Sequence, residues 1–318
     1  MRIPLPLRPP TPLAILCWLL APLWAGGCQA REATTVLAQG ELPEDVGQRW
    51  VELVRDKSDE PTAMTTAVVR YVPATEFDPQ RAPGDYPRYV DLVGAVHIGD
   101  QSYYDALNRR FHTYDAVLYE LVAPEGTVVP KGRGTSNAHP LGAMQNGMKS
   151  MLELEHQLEQ INYTARNFVH ADMSPEEFQQ SMAERDDGFL KMYLRLIGTS
   201  MAQQSQNQSS GDSPGFDFML ALLSDDRARR LKIAMAKQFE GMESLMVGLS
   251  GPDGSTLITE RNKRALAVLR KQLDAGTARL AVFYGAGHLS DMHNRLVEEF
   301  AMRPVSLEWL EAWDLRKE

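Results

Sequence analysis

Cysteine is nearly absent from this chain: Cys17 and Cys28 are the only two in 318 residues. The rest has no thiol with which to form a disulfide, so burial of apolar side chains must hold it together. A 43% hydrophobic content over this length suffices for a sizeable core, as one large domain or two small ones. Basic stripes are missing too, and the formal charge is −9, which argues against a nucleic-acid partner. The longest apolar run, Leu13 to Trp24, is too short to span a bilayer comfortably. No internal repeat of fixed period occurs, and no zinc-protease helix motif, serine nucleophile elbow or phosphate-binding P-loop.

What is present begins with an export signature. Arg2 and Arg8 precede the apolar run, which leads into Ala25-Gly26-Gly27-Cys28. Small residues followed by cysteine resemble the lipobox of bacterial lipoproteins. Residues 1–27 are expected to be a signal peptide and Cys28 the lipidated residue, tethering the chain to a membrane. Gln29, rather than aspartate, suits the outer membrane of a Gram-negative cell, with the protein facing the periplasm. Residues 28–60 are polar, with a weak helical patch from Val46 to Val54, and are expected to be a tether.

Beyond them the pattern is α/β. Thr65–Val72, Tyr89–Ile98, Ala116–Val122 and Arg279–Tyr284 are short apolar runs expected to be strands. Pro304–Trp313 is expected to be a last strand. Asp100 is a plausible N-cap for a helix carrying Tyr103, Tyr104, Leu107 and Phe111 on one face. A strand, helix and strand in this order predict a parallel pair. From about residue 139 the periodicity becomes helical. Met148, Met151, Leu152, Leu158 and Ile161 suggest one long helix, and Ser174-Pro175-Glu176-Glu177 is a capping box opening another. A further helical block runs from about Phe216 to Met246. The expected organisation is a discontinuous α/β core, 61–138 and 255–318, with a mixed, largely parallel sheet, interrupted by an all-helical insertion, 139–254.

Two segments of this core carry the chemistry: Gly94-Ala95-Val96-His97 and Gly285-Ala286-Gly287-His288. With 7 histidines and 23 glycines, chance alone gives roughly half of one such spacing, so their position after buried strands is the stronger signal. The carboxyl ends of strands are where open α/β sheets place ligands. Glu120 ends a third strand. Each histidine alone has an ordinary reading as a hydrogen-bonded strand-end residue. Together, two imidazoles and a carboxylate suit Zn, Mn or Co with open positions for water, and such an ion could lower the pKa of that water and polarise a carbonyl. Arg261 and Asn262 lie near the start of a helix, where an arginine suits a substrate carboxylate or a developing oxyanion. Glu125, Tyr284 and His170 are secondary candidates. His112 and His156 are expected at helix surfaces, and His293 off the face that carries His288.

On these residues the chain resembles the TraB/GumN/Tiki superfamily. The resemblance rests on GAVHIGD, YELV, TERNKRAL and VFYGAGHLSDM, which span most of the core and little of the insertion. It implies that His97, Glu120, Arg261 and His288 occupy the shared polar positions, and a fold similar to erythromycin-esterase-like and ChaN-like proteins. Tiki members are regarded as membrane-tethered, Mn- or Co-dependent metalloproteases. The expectation is therefore a lipid-anchored, metal-dependent hydrolase, most simply a peptidase. His97, Glu120 and His288 would hold the metal or its water, and Arg261 would stabilise the oxyanion. The alternative is a binding lipoprotein that sequesters a peptide, haem or metal without turnover.

Overall fold

Apolar runs that alternate or are continuous in sequence pair here as strands of one mixed sheet, in a computed structural model. It describes residues 35–38, 42–130, 132, 152, 154–185, 221, 224, 226–240 and 254–317, all within one compact unit, Glu32–Glu318. The expected signal peptide, residues 1–27, and Cys28 lie outside the described residues, as do His139 and much of the insertion.

The strands are β1 (Thr35–Ala38), β2 (Val51–Arg55), β3 (Pro61–Pro73), β4 (Tyr89–Ala95), β6 (Ala116–Tyr119), β8 (Phe168–His170), β9 (Arg279–Gly285) and β10 (Met302–Asp314). Their order is β1-β10-β3-β4-β9-β6-β8, with β2 also on β3. β4, β9, β6 and β8 are mutually parallel; β1, β10, β3 and β2 form an antiparallel wing. A separate short ladder joins β5 (Ile98–Gly99) to β7 (Glu155–His156).

Both faces of the parallel part are covered, which explains why its strands are mostly apolar rather than alternating. On one face Tyr103, Tyr104, Leu107 and Phe111 of α1 (Gln101–Phe111) pack with Val93, Val117 and Phe283. On the other, Ala265, Leu266 and Leu269 of α5 (Arg261–Asp274) and Leu289, Met292 and Leu296 of α6 (Ala286–Glu298) cover Leu92, Leu118 and Val282. Each such leucine stabilises by roughly 1.5–3 kcal/mol relative to an exposed one.

Several expectations are revised. Thr35–Ala38 and Val51–Arg55 lie inside the supposed tether but belong to the sheet, and Trp50 and Leu53 are buried in its cores. Their short apolar patches need the long partners β10 and β3 to become strands. Val46 to Val54 is thus no helix. Gly47 anchors this segment: it has φ +81°, and a Cβ there would lie 2.1 Å from the His293 ring. The insertion is not all helical, because Phe168–His170 extends the sheet beside β6. Among the described residues before it, 154–156 are not helical and break the expected long helix. Residues 157–160 form a single helical turn, α2 (Gln157–Gln160), and His156, expected at a helix surface, is buried in β7. β4 and β6 are parallel as predicted, but β9 lies between them. Asp100 precedes α1 without capping it; its carboxylate instead accepts from Lys232 of α4 (Arg227–Glu240) and from the Asp314 N–H. The Ser174 capping box forms as predicted at the start of α3 (Pro175–Glu184).

Candidate functional site

Parallel strands place their carboxyl ends on one edge, and four neighbouring strands here each deliver a polar residue to it. His97 follows β4, His288 lies in the first turn of α6 directly after β9, Glu120 follows β6, and Asp172 follows β8. Arg261 joins them at the first position of α5. A π-helical turn, Thr256–Glu260, precedes it, a geometry frequent at functional sites. That turn is pinned by α3, through Ser181 to Thr256 (2.9 Å) and Arg185 to Glu260 (3.0 Å).

Arg261 is the hub. Its Nε and Nη2 donate to the two oxygens of Asp172 at 3.0 and 2.6 Å, a bidentate pair, and Nη2 also donates to Glu120 Oε1 at 2.6 Å. The Asp172 side chain is 0% exposed and that of Arg261 8%. Among the described residues Nη1 has only a long contact, 3.5 Å, to His288 Nε2. Glu120 Oε2 accepts the Gly285 N–H at 2.7 Å, and a Cβ on Gly285 would sit 3.2 Å from that oxygen. Any larger residue there would press on the Glu120 carboxylate by a few tenths of an ångström.

His288 is set by Asn262. Its Nδ1 is 2.7 Å from Asn262 Oδ1, while Asn262 Nδ2 donates to the His288 carbonyl (2.9 Å) and to Asp291 (2.8 Å). An amide oxygen only accepts, so Nδ1 carries the hydrogen and Nε2 the lone pair. Burial lowers the His288 pKa, favouring the neutral ring. Burial alone would raise the Glu120 carboxyl, but His288, Arg261, His97 and the Gly285 N–H outweigh it and hold the group at about 2. Near neutral pH, where His288 is uncharged, Arg261 and the backbone donor carry that effect.

His97 is exposed, unlike the others. It lies near enough to Glu120 and His288 to influence both electrostatically. Tyr103 and Tyr104 of α1 donate to the carbonyls of Gly94 (2.9 Å) and Val96 (3.0 Å), fixing the chain that carries it.

The structure thus brings His97, Glu120, Arg261, Asn262 and His288 to one edge. Tyr284 borders the cluster: it is buried, donates to the Ala171 carbonyl at 2.6 Å and meets the His288 ring edge-on. His170 turns away to the Leu121 carbonyl (2.6 Å), and Glu125 is exposed on the loop after β6 with no hydrogen bond to the cluster. His293, as its position suggested, faces elsewhere, bonding Tyr71 (2.8 Å). Asp172, Gln157 and Tyr163 were missed. Asp172 had a signal, since it follows the apolar pair Phe168-Val169 just as Glu120 follows its own strand; a helical reading of that region hid it.

A resident metal ion can be tested against this geometry. Glu120 Oε1 and His288 Nε2 are 3.6 Å apart, a separation two donors on one ion can have. The guanidinium of Arg261 faces both atoms, however, and Asp172 holds it there. Among the described residues no group of three His, Cys, Asp or Glu is placed to hold an ion. In this arrangement the positive charge beside Glu120 is the guanidinium. Its committed donors also leave no bidentate edge for a substrate carboxylate, which would meet Asp172 and Glu120; only Nη1 is left to serve an oxyanion. Comparison with known protein families, curated proteins and solved structures finds no match to this chain.

Proposed function

We propose that the chain is a hydrolase that adds water to an acyl carbon, a peptide bond or a related ester or amide, at the carboxyl edge of its parallel strands. The observation that carries this reading is the convergence of His97, Glu120, Asp172, Arg261 and His288 from five separate stretches of sequence onto one edge. Such an edge is where α/β sheets place chemistry, and perturbed titratable groups cluster at functional sites. The likeness to the TraB/GumN/Tiki superfamily, and through it to erythromycin-esterase-like and ChaN-like folds, supports the same class. With acylation at Cys28, the enzyme would face the periplasm from the outer membrane.

In this mechanism His97 takes a proton from the attacking water and returns it to the departing amine or alcohol as the acyl C–N or C–O bond breaks, a role worth about 10²–10⁴-fold. Arg261 Nη1 donates to the oxyanion that forms, an interaction worth about 10²–10³-fold. Asp172 and Glu120 hold the guanidinium in register, and the neutral His288 keeps Nη1 from rotating away. The 3.6 Å between Glu120 Oε1 and His288 Nε2 favours a second reading. In it the Arg261 guanidinium would give way, Glu120 and His288, with His97 brought closer, would hold a divalent Mn, Co or Zn ion, and its chemistry there would be Lewis-acid polarisation and a more acidic water.

A panel of chromogenic esters and short peptides, offered to the purified full chain, tests the proposal. Turnover that falls about 10²–10³-fold in Arg261→Lys and survives exhaustive chelation supports the guanidinium reading. Activity lost on chelation and restored by Mn, Co or Zn selects the metal reading. If Arg261→Lys and His97→Ala both leave every measured turnover unchanged, the site is not catalytic.

A further inference from the structure

We propose that Gln157 is a positioning residue for His97, fixing its imidazole in the Nδ1–H form so that Nε2 stays unprotonated toward the site. This deepens the hydrolase reading by naming what arms its base, and part of its test does not depend on that reading.

Gln157 comes from a different region of the chain, just after β7, and meets His97 at two levels. Its backbone N–H donates to the His97 carbonyl at 3.0 Å. Its side-chain Oε1 lies 3.3 Å from His97 Nδ1. The other end of the amide is occupied, because Nε2 donates to the Tyr163 hydroxyl at 2.8 Å. Tyr163 is buried, and burial raises its pKa, so the phenol stays neutral. With Nε2 turned to Tyr163, only the carbonyl oxygen faces His97. A carbonyl oxygen accepts and cannot donate, so with the amide in this orientation the facing ring nitrogen carries the hydrogen. A neutral imidazole has one, which leaves the Nε2 lone pair free.

The segment holding Gln157 is tied down independently of the site. The β5–β7 ladder pairs Ile98 with His156 and Gly99 with Glu155 on one side of it. On the other, Asn108 of α1 donates to the Gln160 carbonyl (2.9 Å) and accepts the Asn162 N–H (3.1 Å). Gln157 is itself buried. So the base sits just past the end of a core strand, and the group that selects its tautomer sits on the segment docked across it. The functional consequence is that the core strands alone do not specify a competent base; docking of residues 154–163 does.

The test is long-range ¹H–¹⁵N spectroscopy of histidine-labelled full chain at about pH 8, where an ordinary imidazole is neutral. The His97 signals are identified by their loss in His97→Gln. The expected native pattern is a protonated, pyrrole-like Nδ1 and a bare, pyridine-like Nε2. Gln157→Leu should bring both nitrogens toward intermediate shifts. Gln157→Glu, whose carboxylate also only accepts, should restore the native pattern. Tyr163→Phe, which frees the amide to reverse, should give a partial shift and serves if Gln157→Leu fails to fold. In turnover, Gln157→Leu should lower kcat about 10–100-fold with KM little changed, as for groups that orient a functional histidine, and Gln157→Glu should recover most of it. A native ring protonated at Nε2, or one unmoved by Gln157→Leu, overturns the proposal. Absence of acyl turnover alongside the expected spectra would defeat the hydrolase reading and leave the positioning intact.

Discussion

Two buried arginine–carboxylate clusters sit at opposite ends of β4, and they differ in what they leave unspent. At the amino end Arg70 grips Asp91 through Nε and Nη2 at 2.8 and 2.9 Å, and its Nη1 donates to the Pro83 carbonyl at 3.1 Å. Tyr114 closes Asp91 with a 2.6 Å bond, Arg110 pairs with Glu308 alongside, and the Arg70 guanidinium lies over the Tyr89 ring. Every nitrogen of that guanidinium has a partner. At the carboxyl end Arg261 grips Asp172 in the same bidentate way, yet Nη1 has only its long contact to His288, and an exposed imidazole stands nearby. The same pair of side chains is thus a strut in one place and a candidate tool in the other. What separates them is whether any donor remains for a ligand.

The largest effect that would sharpen this contrast is on stability at the amino end. Asp91→Ala strands Arg70 and a buried phenol and should cost about 3–5 kcal/mol, read from the urea midpoint at unchanged m. A loss below about 1 kcal/mol would mean that the cluster is not a strut. Next comes acid. Glu120 titrates lower in the folded chain than in the unfolded one, so its contribution is full above its ordinary pKa of 4.5 and is lost as pH falls toward about 2. His288 is also lowered, from 6.5, so the unfolded chain binds its proton more readily and stability starts to fall as pH drops below 6.5. The Glu120 share is on the order of 3 kcal/mol. Glu120→Gln should flatten the limb below pH 4.5, and an unchanged limb would remove Glu120 as its source. The smallest effect on stability belongs to His97→Ala, within about 0.5 kcal/mol because the side chain is exposed. The same change should lower turnover at least 10²-fold. A variant that unfolds with the loss of activity would move His97 to the strut class.

Much of the sheet was legible because its strands are short apolar runs with polar ends: Tyr89–Ala95, Ala116–Tyr119 and Arg279–Gly285 are close to their sequence reading. The polar residues after those runs gave the site's edge. What was hidden depends on partners distant in sequence. Val51–Arg55 is a strand because β3 lies beside it, and Phe168–His170 is three residues long and declares itself only against β6. With β8 unrecognised, Asp172 could not be placed, although it commits more of Arg261 than Glu120 does. Gln157 was beyond reach for the same reason, since its partner is 60 residues away and its own helix is one turn long.

The position of β10 has a consequence for how the chain reaches this state. Met302–Asp314 lies between β1 and β3 and runs along one whole side of the latter. Until those residues emerge, β3 keeps an open row of amides and carbonyls facing water, and β1 has nothing to join. An unfinished chain therefore presents a sticky ribbon edge, the kind of surface that invites foreign strands. Met302–Asp314 acts as the closing seam, and any process that delays or removes it would leave that edge exposed to association with other strands.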